Sequence, residues 1–227
     1  PMISPVTQIK IDSPAGLITA FAHIENNHVK NVSFRNVPSF VSELDAVVDV
    51  PALGKVRYDL AFGGAFYAYV NAKDVGVTCT AEDYRPLIEK GMAIKRAVMK
   101  SRKIVHPFEN DLGFLYGTIF VDEPQDPASH SRNVCIFADG EVDRSPTGTG
   151  VSGRLAIHHA RGEIKLNEEI VIESIIGSKF TGKVVEEAAF GPHAAIIPEV
   201  RGEAHLVGRN ELWINPNDPL KDGFILR

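Results

Sequence analysis

Two-residue alternation of apolar and charged side chains restricts the fold of this chain more than any other feature. In the run KVRYDLAF, Val56, Tyr58, Leu60 and Phe62 fall on one side and Lys55, Arg57 and Asp59 on the other, the pattern of an extended strand with one buried face. Ile9 and Ile11 flank Lys10 in the same way, GLITAFAHI follows as a second run, and Val32 and Phe34 sit between polar neighbours. Turn residues at Ser13-Pro14-Ala15-Gly16 and Asn26-Asn27 separate these runs, which predicts a meander or a pair of hairpins, with Pro38 marking a crossing. LGFLYGTIFV, NVCIFA, two segments of EIVIESIIGSKFTGKVV, ELWIN and GFILR read as further strands.

Helices are fewer. TAEDYRPLIEKGMAIKRAVMKSRK places Leu87, Ile94 and Val98 at helical spacing, with Thr80 as a candidate N-cap and Pro86 tolerable only near the first turn. VSGRLAIHHA predicts a second helix over 151–161, ending near Gly162. Its apolar residues lie on several sides with no acidic residue and only Arg154 charged before Arg161, so it is expected to be surrounded by sheet. Many strands without a regular crossover helix argue against a doubly wound parallel sheet and for an α+β architecture.

The charge balance is ordinary: 24 basic against 29 acidic residues, net −5, and no basic run beyond KRAVMKSRK, which reads as a solvated helix face. Neither nucleic acid nor a membrane surface is therefore an expected partner. Cys79 and Cys135 are too few for a disulfide framework or a zinc site and are expected to be buried structural thiols. With no apolar run near 18 residues and no signal-like N-terminus, the expected location is the cytoplasm. The adjacent pair His158-His159 cannot face one metal, so no metal is expected, and His106 reads as a surface or cleft histidine.

The stretch DRSPTGTG, Asp143 to Gly150, stands directly before the second helix. A helix N-terminus offers unpaired N–H groups and a partial positive charge, so it attracts anions. Gly148 and Gly150 remove Cβ atoms that would block such an approach, and Pro146 fixes the chain's entry. The run matches neither a phosphate-binding loop nor a dinucleotide fingerprint, which leaves a small carboxylate, with Asp143 placed to meet a ligand ammonium. The competing reading is a Ser or Thr N-cap with glycines in a tight turn. Gly63-Gly64 is likewise either a strand bend or a ligand contact, and Tyr116 and Thr118 are either strand core or border of a ligand site.

From end to end the chain resembles the proline racemase family, on NVPSF (36–40), AFGGAFYA (61–68), NVCIFADGEVDRSPTGTGVSGRLA (133–156), ESIIGSKFTGKV (173–184) and DPLKDGF (218–224). That resemblance implies the diaminopimelate epimerase-like fold: two similar domains, each a curved, mostly antiparallel sheet around a central helix, with the site between them. It divides the chain into residues 1–36 as the remainder of a first domain, 37–207 as the second, and 208–227 as a segment returning to the first. It gives Asp143 the substrate amine, Gly148 and Thr149 the substrate carboxylate through their N–H groups, and Phe137 a packing position against the ring. Thr147 takes the place of the second acid/base residue, where racemases and epimerases of the family carry cysteine. This threonine resembles the trans-3-hydroxy-L-proline dehydratase branch. The chemistry agrees with that switch, since an aliphatic hydroxyl without an adjacent base does not exchange protons at neutral pH as a thiol does. The alternatives are a proline racemase or hydroxyproline 2-epimerase, or an incomplete fragment that only binds an imino acid. The implied partner is a small imino acid, with no cofactor and room for a homodimer. The family's first catalytic cysteine lies in an MCGH-type motif upstream of VTQIKIDSPAGLI. No such motif occurs in these 227 residues, so the chain is expected to begin inside the first domain.

Overall fold

The computed structural model of the chain describes residues 5–224. Its strands are β1 (Val6–Ser13), β2 (Gly16–Glu25), β3 (His28–Arg35), β4 (Ser39–Val50), β5 (Gly54–Phe62), β6 (Phe66–Asn71), β7 (Leu115–Asp122), β8 (Ser131–Phe137), β9 (Glu141–Val142), β10 (Ile170–Glu173), β11 (Lys179–Phe190) and β12 (His193–Gly202). The described residues also form two α-helices, α1 (Tyr84–Ser101) and α2 (Gly148–Ala160), and three single-turn 3-10 helices, Ala72–Val75, Ala81–Asp83 and Asn110–Leu112. The architecture is the α+β type expected, a diaminopimelate epimerase-like sheet wrapped round a helix.

The first three strands form hairpins at the expected turns. Pro14-Ala15 closes β1 on β2. Asn26-Asn27 closes β2 on β3, with φ of 51° and 60°, the left-handed pair that matches the twist of a two-residue hairpin and that Asn tolerates. From β3 the chain runs along β12, which pairs with Val32–Arg35 through Glu199–Gly202 and with Ser39 and Phe40 through Ile196 and Ala195. The bend between β3 and β4 falls at Asn36-Val37-Pro38, opposite Pro198, whose carbonyl accepts from the Asn36 N–H at 3.0 Å. Pro38 on one strand and Pro198 on the other interrupt the ladder near the bend, because neither can donate to it. The bent edge serves two sheets at once: β3 continues outward to β2 and β1, while β4 continues through β5, β6, β7, β8, β10 and β11 back to β12. That second path closes a barrel. Its neighbours are antiparallel except β6 with β7 and β8 with β10.

Alternation along β5 sorts the two faces. Tyr58, Leu60 and Phe62 pack outward under α1 with Leu87, Ile94 and Val98, and Pro86 lies in the first turn of that helix, where it removes no internal hydrogen bond. Inside the barrel, Val151, Leu155 and Ala156 of α2 meet Ile172, Val184, Ile196 and Val200, while Ile157 meets Ala61, Tyr67, Tyr69, Ile119 and Cys135. Eight consecutive residues of α2, Gly150 to Ile157, are buried. Arg154 is among them, donating to Asn133 at 2.7 Å, Ser131 at 3.1 Å and His158 at 2.9 Å; burial lowers its pKa to about 10.

Four readings change. The second helix begins at Gly148 rather than 151, because tertiary contact outweighs the poor helix propensity of glycine. A Cβ at Gly153 would lie 2.1 Å from the Tyr69 hydroxyl, at Gly150 2.5 Å from Ile119, and at Gly63 2.2 Å from the Thr149 carbonyl oxygen. ELWIN forms no strand: residues 211–215 are exposed and unpaired, and extended propensity without a partner strand makes no sheet. Of GFILR, Gly223 and Phe224 carry no strand and 225–227 lie outside the described residues. His106 is 4% exposed rather than on the surface, its ring 4.9 Å from that of Phe62 and 5.4 Å from that of Phe190.

A Gly→Ala change in an exposed helix stabilises by about 1 kcal/mol. Gly153→Ala is expected to do the opposite here, costing roughly 1–3 kcal/mol through overpacking against Tyr69. Urea denaturation of the two proteins, compared at equal m-value, reads the sign.

Candidate active site

The loop before α2 is held by its own polar groups. β9 turns back on β8, and the Asp143 N–H continues that pairing by donating to the Cys135 carbonyl at 3.1 Å. Asp143 then ties the loop to itself: its Oδ1 accepts from the Ser145 N–H at 2.8 Å and its Oδ2 from the Thr147 hydroxyl at 2.8 Å. The Thr147 N–H donates to Ser145 Oγ at 3.1 Å. Thr147 is buried, with φ 68° and ψ 106°. A β-branched residue adopts this conformation only where its surroundings compel it.

Thr147 occupies the N-cap position, yet no side chain caps the helix. Its hydroxyl is given to Asp143, and its carbonyl accepts the first helical bond, from the Val151 N–H at 2.7 Å. The N–H groups of Gly148, Thr149 and Gly150 thus open the first turn without a side-chain cap, an anion-attracting arrangement. A threonine thus stands at the N-cap, as the cap reading has it, but without the side-chain bond of such a cap. The glycines serve packing as well as access, since a Cβ at Gly148 would lie 3.0 Å from Phe34 and one at Gly150 would strike Ile119.

Two openings flank this end of the helix. One, of about 880 Å³, is lined by Asp143, Arg144, Ser145, Ser178, Lys179 and Arg201. The other, of about 320 Å³ and mostly apolar, is lined by Asn36, Gly64, Tyr67, Phe114, Tyr116 and Thr149 among others. Thr149 Oγ1 and the Tyr67 hydroxyl share a hydrogen bond of 2.9 Å, and burial raises the Tyr67 pKa well above its usual value, so this phenol stays protonated. The Tyr69 hydroxyl donates to the Gly150 carbonyl at 2.8 Å.

Asp143 and Thr147 are joined by their side chains, and Gly148 and Thr149 follow in the first turn of α2, with Asp143 lining the first opening and Thr149 the second. Phe137 is one ring removed from the second opening: it packs 5.5 Å from Tyr116, which is itself 5.9 Å from Tyr67. Tyr116 borders the site, whereas Thr118 points the other way and donates to the Gly91 carbonyl of α1 at 2.9 Å. Gly63 and Gly64 form the turn after β5 that presses on α2. Sequence reasoning missed Tyr67 and Asn36. Both lie inside NVPSF and AFGGAFYA, and the available signal was a polar atom in an otherwise apolar run. His158 and His159 diverge, to Arg154 with Glu163 and to Glu187, and among the described residues no group of three or more His, Cys, Asp or Glu could hold a metal ion.

The sequence profile described as "Proline racemase" matches residues 1–225. The chain belongs to the proline racemase family. A trans-3-hydroxy-L-proline dehydratase of Colwellia psychrerythraea is 52% identical over 222 residues, which are 98% of this chain and 62% of that protein. A 3-hydroxyproline 2-epimerase of Burkholderia multivorans is 41% identical over 223 residues, 98% of this chain and 67% of that one. Among solved structures, a hydroxyproline epimerase of Agrobacterium vitis with bound trans-4-hydroxy-L-proline superposes with a TM-score of 0.91 at 36% identity, covering 100% of this chain and 65% of the other. The chain therefore spans about two thirds of the length of the family members it matches. No helix among the described residues is long and apolar enough to cross a membrane.

Both cysteines are fully buried, and burial pushes each thiol up to about 12. Neither is a working base or nucleophile at neutral pH. In the folded chain, both are expected to resist a chromogenic disulfide reagent at pH 8 and to react at the rate of unfolding. Fast labelling without denaturant would show an accessible thiolate and contradict the burial.

Proposed function

We propose that these residues form one side of the active site of a trans-3-hydroxy-L-proline dehydratase. The observation that carries the reading is the Thr147 hydroxyl donating to Asp143 at 2.8 Å, at the position where family racemases carry a thiol. A hydroxyl whose single proton is committed to a carboxylate presents only lone pairs to a ligand, so it does not reprotonate an α-carbon from that face. The dehydratase name of the Colwellia relative supports the same reading.

In this mechanism the substrate carboxylate rests on the N–H groups of Gly148 and Thr149, its ammonium meets Asp143, and its ring packs toward Tyr116 and Phe137. A base on the other face takes the α-proton; by the family resemblance this is a thiol outside these 227 residues. The electron pair left on the α-carbon forms the double bond to the β-carbon as the β-C–O bond breaks. The departing hydroxide takes the proton back from the base, so one water leaves, no redox partner is needed, and the product is a pyrroline-2-carboxylate. The same reading assigns residues 1–36 to the first domain, which accords with the exposed Ile9 and Ile11 on β1, residues 37–207 to the second, and 208–227 to a return toward the first.

The test uses the chain extended to family length with the corresponding segment of the Colwellia relative. Trans-3-hydroxy-L-proline, trans-4-hydroxy-L-proline and L-proline are each scored for dehydration and for inversion. Dehydration of the first alone is expected; inversion without dehydration would establish the racemase or epimerase alternative that the Burkholderia relative represents. Asp143→Ala is expected to lower turnover at least about 100-fold with the fold retained, and Thr147→Cys to introduce measurable inversion. Unchanged activity in Asp143→Ala removes that residue from the site.

A further inference from the structure

Between α1 and β7 the chain makes one compact excursion, and His106 stands at its base. The ring's Nδ1 accepts from the Glu109 N–H at 2.9 Å and from the Phe108 N–H at 3.4 Å. An imidazole nitrogen that accepts carries no proton, so the ring is the neutral tautomer with its hydrogen on Nε2. That nitrogen is buried without a hydrogen-bond partner, in a ring packed against those of Phe62, Phe108 and Phe190. From Glu109 the bonding runs on: its carbonyl accepts from the Leu112 N–H at 3.1 Å, and the Gly113 N–H donates to the Asn110 carbonyl at 2.9 Å. The excursion then closes on its own beginning, since a Cβ at Gly113 would lie 3.0 Å from the Ile104 carbonyl oxygen and 3.6 Å from the His106 backbone nitrogen. Leu112 and Phe114, carried at its far end, line the 320 Å³ opening with Tyr67, Tyr116 and Thr149.

We propose that His106 is a positioning residue: uncharged, it fastens segment 107–114 and seats Leu112 and Phe114 on the wall of that opening; protonated, it releases them. A proton on Nδ1 would set a positive N–H against two N–H donors, so the charged ring and the fastened turn exclude one another. The groups around the ring decide the sign. Burial disfavours the charged form and holds the His106 pKa below the usual histidine range, while Glu109, on its own segment, pulls weakly the other way. β5 and β11 bring the apolar rings of Phe62 and Phe190. The other titratable ring of this aromatic cluster, His193 of β12, stacks on Phe40 at 4.2 Å and is also lowered by burial. A pKa lower in the fastened state than in the free chain means that fastening is complete above about pH 6.5 and weakens as pH falls below it. An asparagine side chain also offers an oxygen to N–H groups two and three residues on, but it does not titrate, so it separates holding from switching. That the opening belongs to the substrate site rests on the proposed dehydratase function, in which the Thr149 N–H receives the carboxylate; the fastening does not.

Hydrogen exchange of residues 108–114, followed by mass spectrometry on the family-length protein and corrected for intrinsic rates, reads the fastening. Protection is expected to fall at least about five-fold between pH 8 and pH 5, to stay level in His106→Asn, and to be low at both pH values in His106→Phe. Over the same range KM for trans-3-hydroxy-L-proline is expected to rise at least about two-fold more in the unmodified protein than in His106→Asn, with the two alike at pH 8. If nothing is dehydrated, calorimetric Kd replaces KM. Protection indifferent to pH overturns the inference, as does a fall that persists in His106→Asn, which would place the titration on His193 or elsewhere. Equal KM responses in the two proteins overturn the assignment to the opening. If either variant does not fold, the pH response of the unmodified protein decides. If the imino acid is neither dehydrated nor bound, the dehydratase reading falls, and the exchange comparison alone decides this one.

Discussion

The closeness with which the barrel wall approaches α2 controls the rest of the structure. A helix buried on all sides must be reached by sheet residues without voids, and here contact is made through backbone as much as side chain: Gly63 lies against the Thr149 carbonyl and Gly153 against the Tyr69 hydroxyl. That closeness lets Asn36 bond at once to the β5–β6 turn and, through Ser152, to the first turn of the helix. The end of α2 is thereby fixed relative to β4, β5 and β6, and its free N–H groups face a defined place. Preorganisation of this kind is what makes a helix terminus useful for binding, since ordering the donors when a ligand arrives would weaken the affinity.

Most of the sheet was legible because its signal is local. Val56, Tyr58, Leu60 and Phe62 declare one face of β5 by alternation alone, and Asn26-Asn27 declares a hairpin by its tolerance of left-handed backbone. Pro38 marked the bend that the structure puts opposite Pro198. Features decided between distant segments were not legible. The start of α2 at Gly148 depends on Ile119 and Phe34, which propensity does not see. ELWIN has the composition of a strand and lacks a partner. His106 became a core residue only because Phe62 and Phe190 close around it. Within the site, residue types were readable in DRSPTGTG, but the direction of the Thr147 hydroxyl was not, and that direction separates a helix cap from an acceptor held by Asp143.

The direction matters because Asp143 has capacity to spare. Its two oxygens each accept one bond inside the loop, and a carboxylate has about four acceptor positions, so a ligand ammonium can bind without displacing Thr147. In the proposed function the hydroxyl proton stays on the Asp143 side, and a ligand would meet an oxygen that only accepts. A thiol in the same place would donate weakly and would ionise, although the adjacent carboxylate would raise its pKa by like-charge repulsion. Racemisation on this scaffold thus requires a thiolate to form against Asp143, with the helix N-terminus supplying the compensating field. Threonine avoids that opposition altogether, at the cost of proton transfer on that face. Left with one basic face, an α-carbanion has two exits: return of the same proton, or expulsion of a group from the neighbouring carbon. Only the second is productive, and it requires a leaving group on that carbon, which 3-hydroxyproline carries and proline lacks.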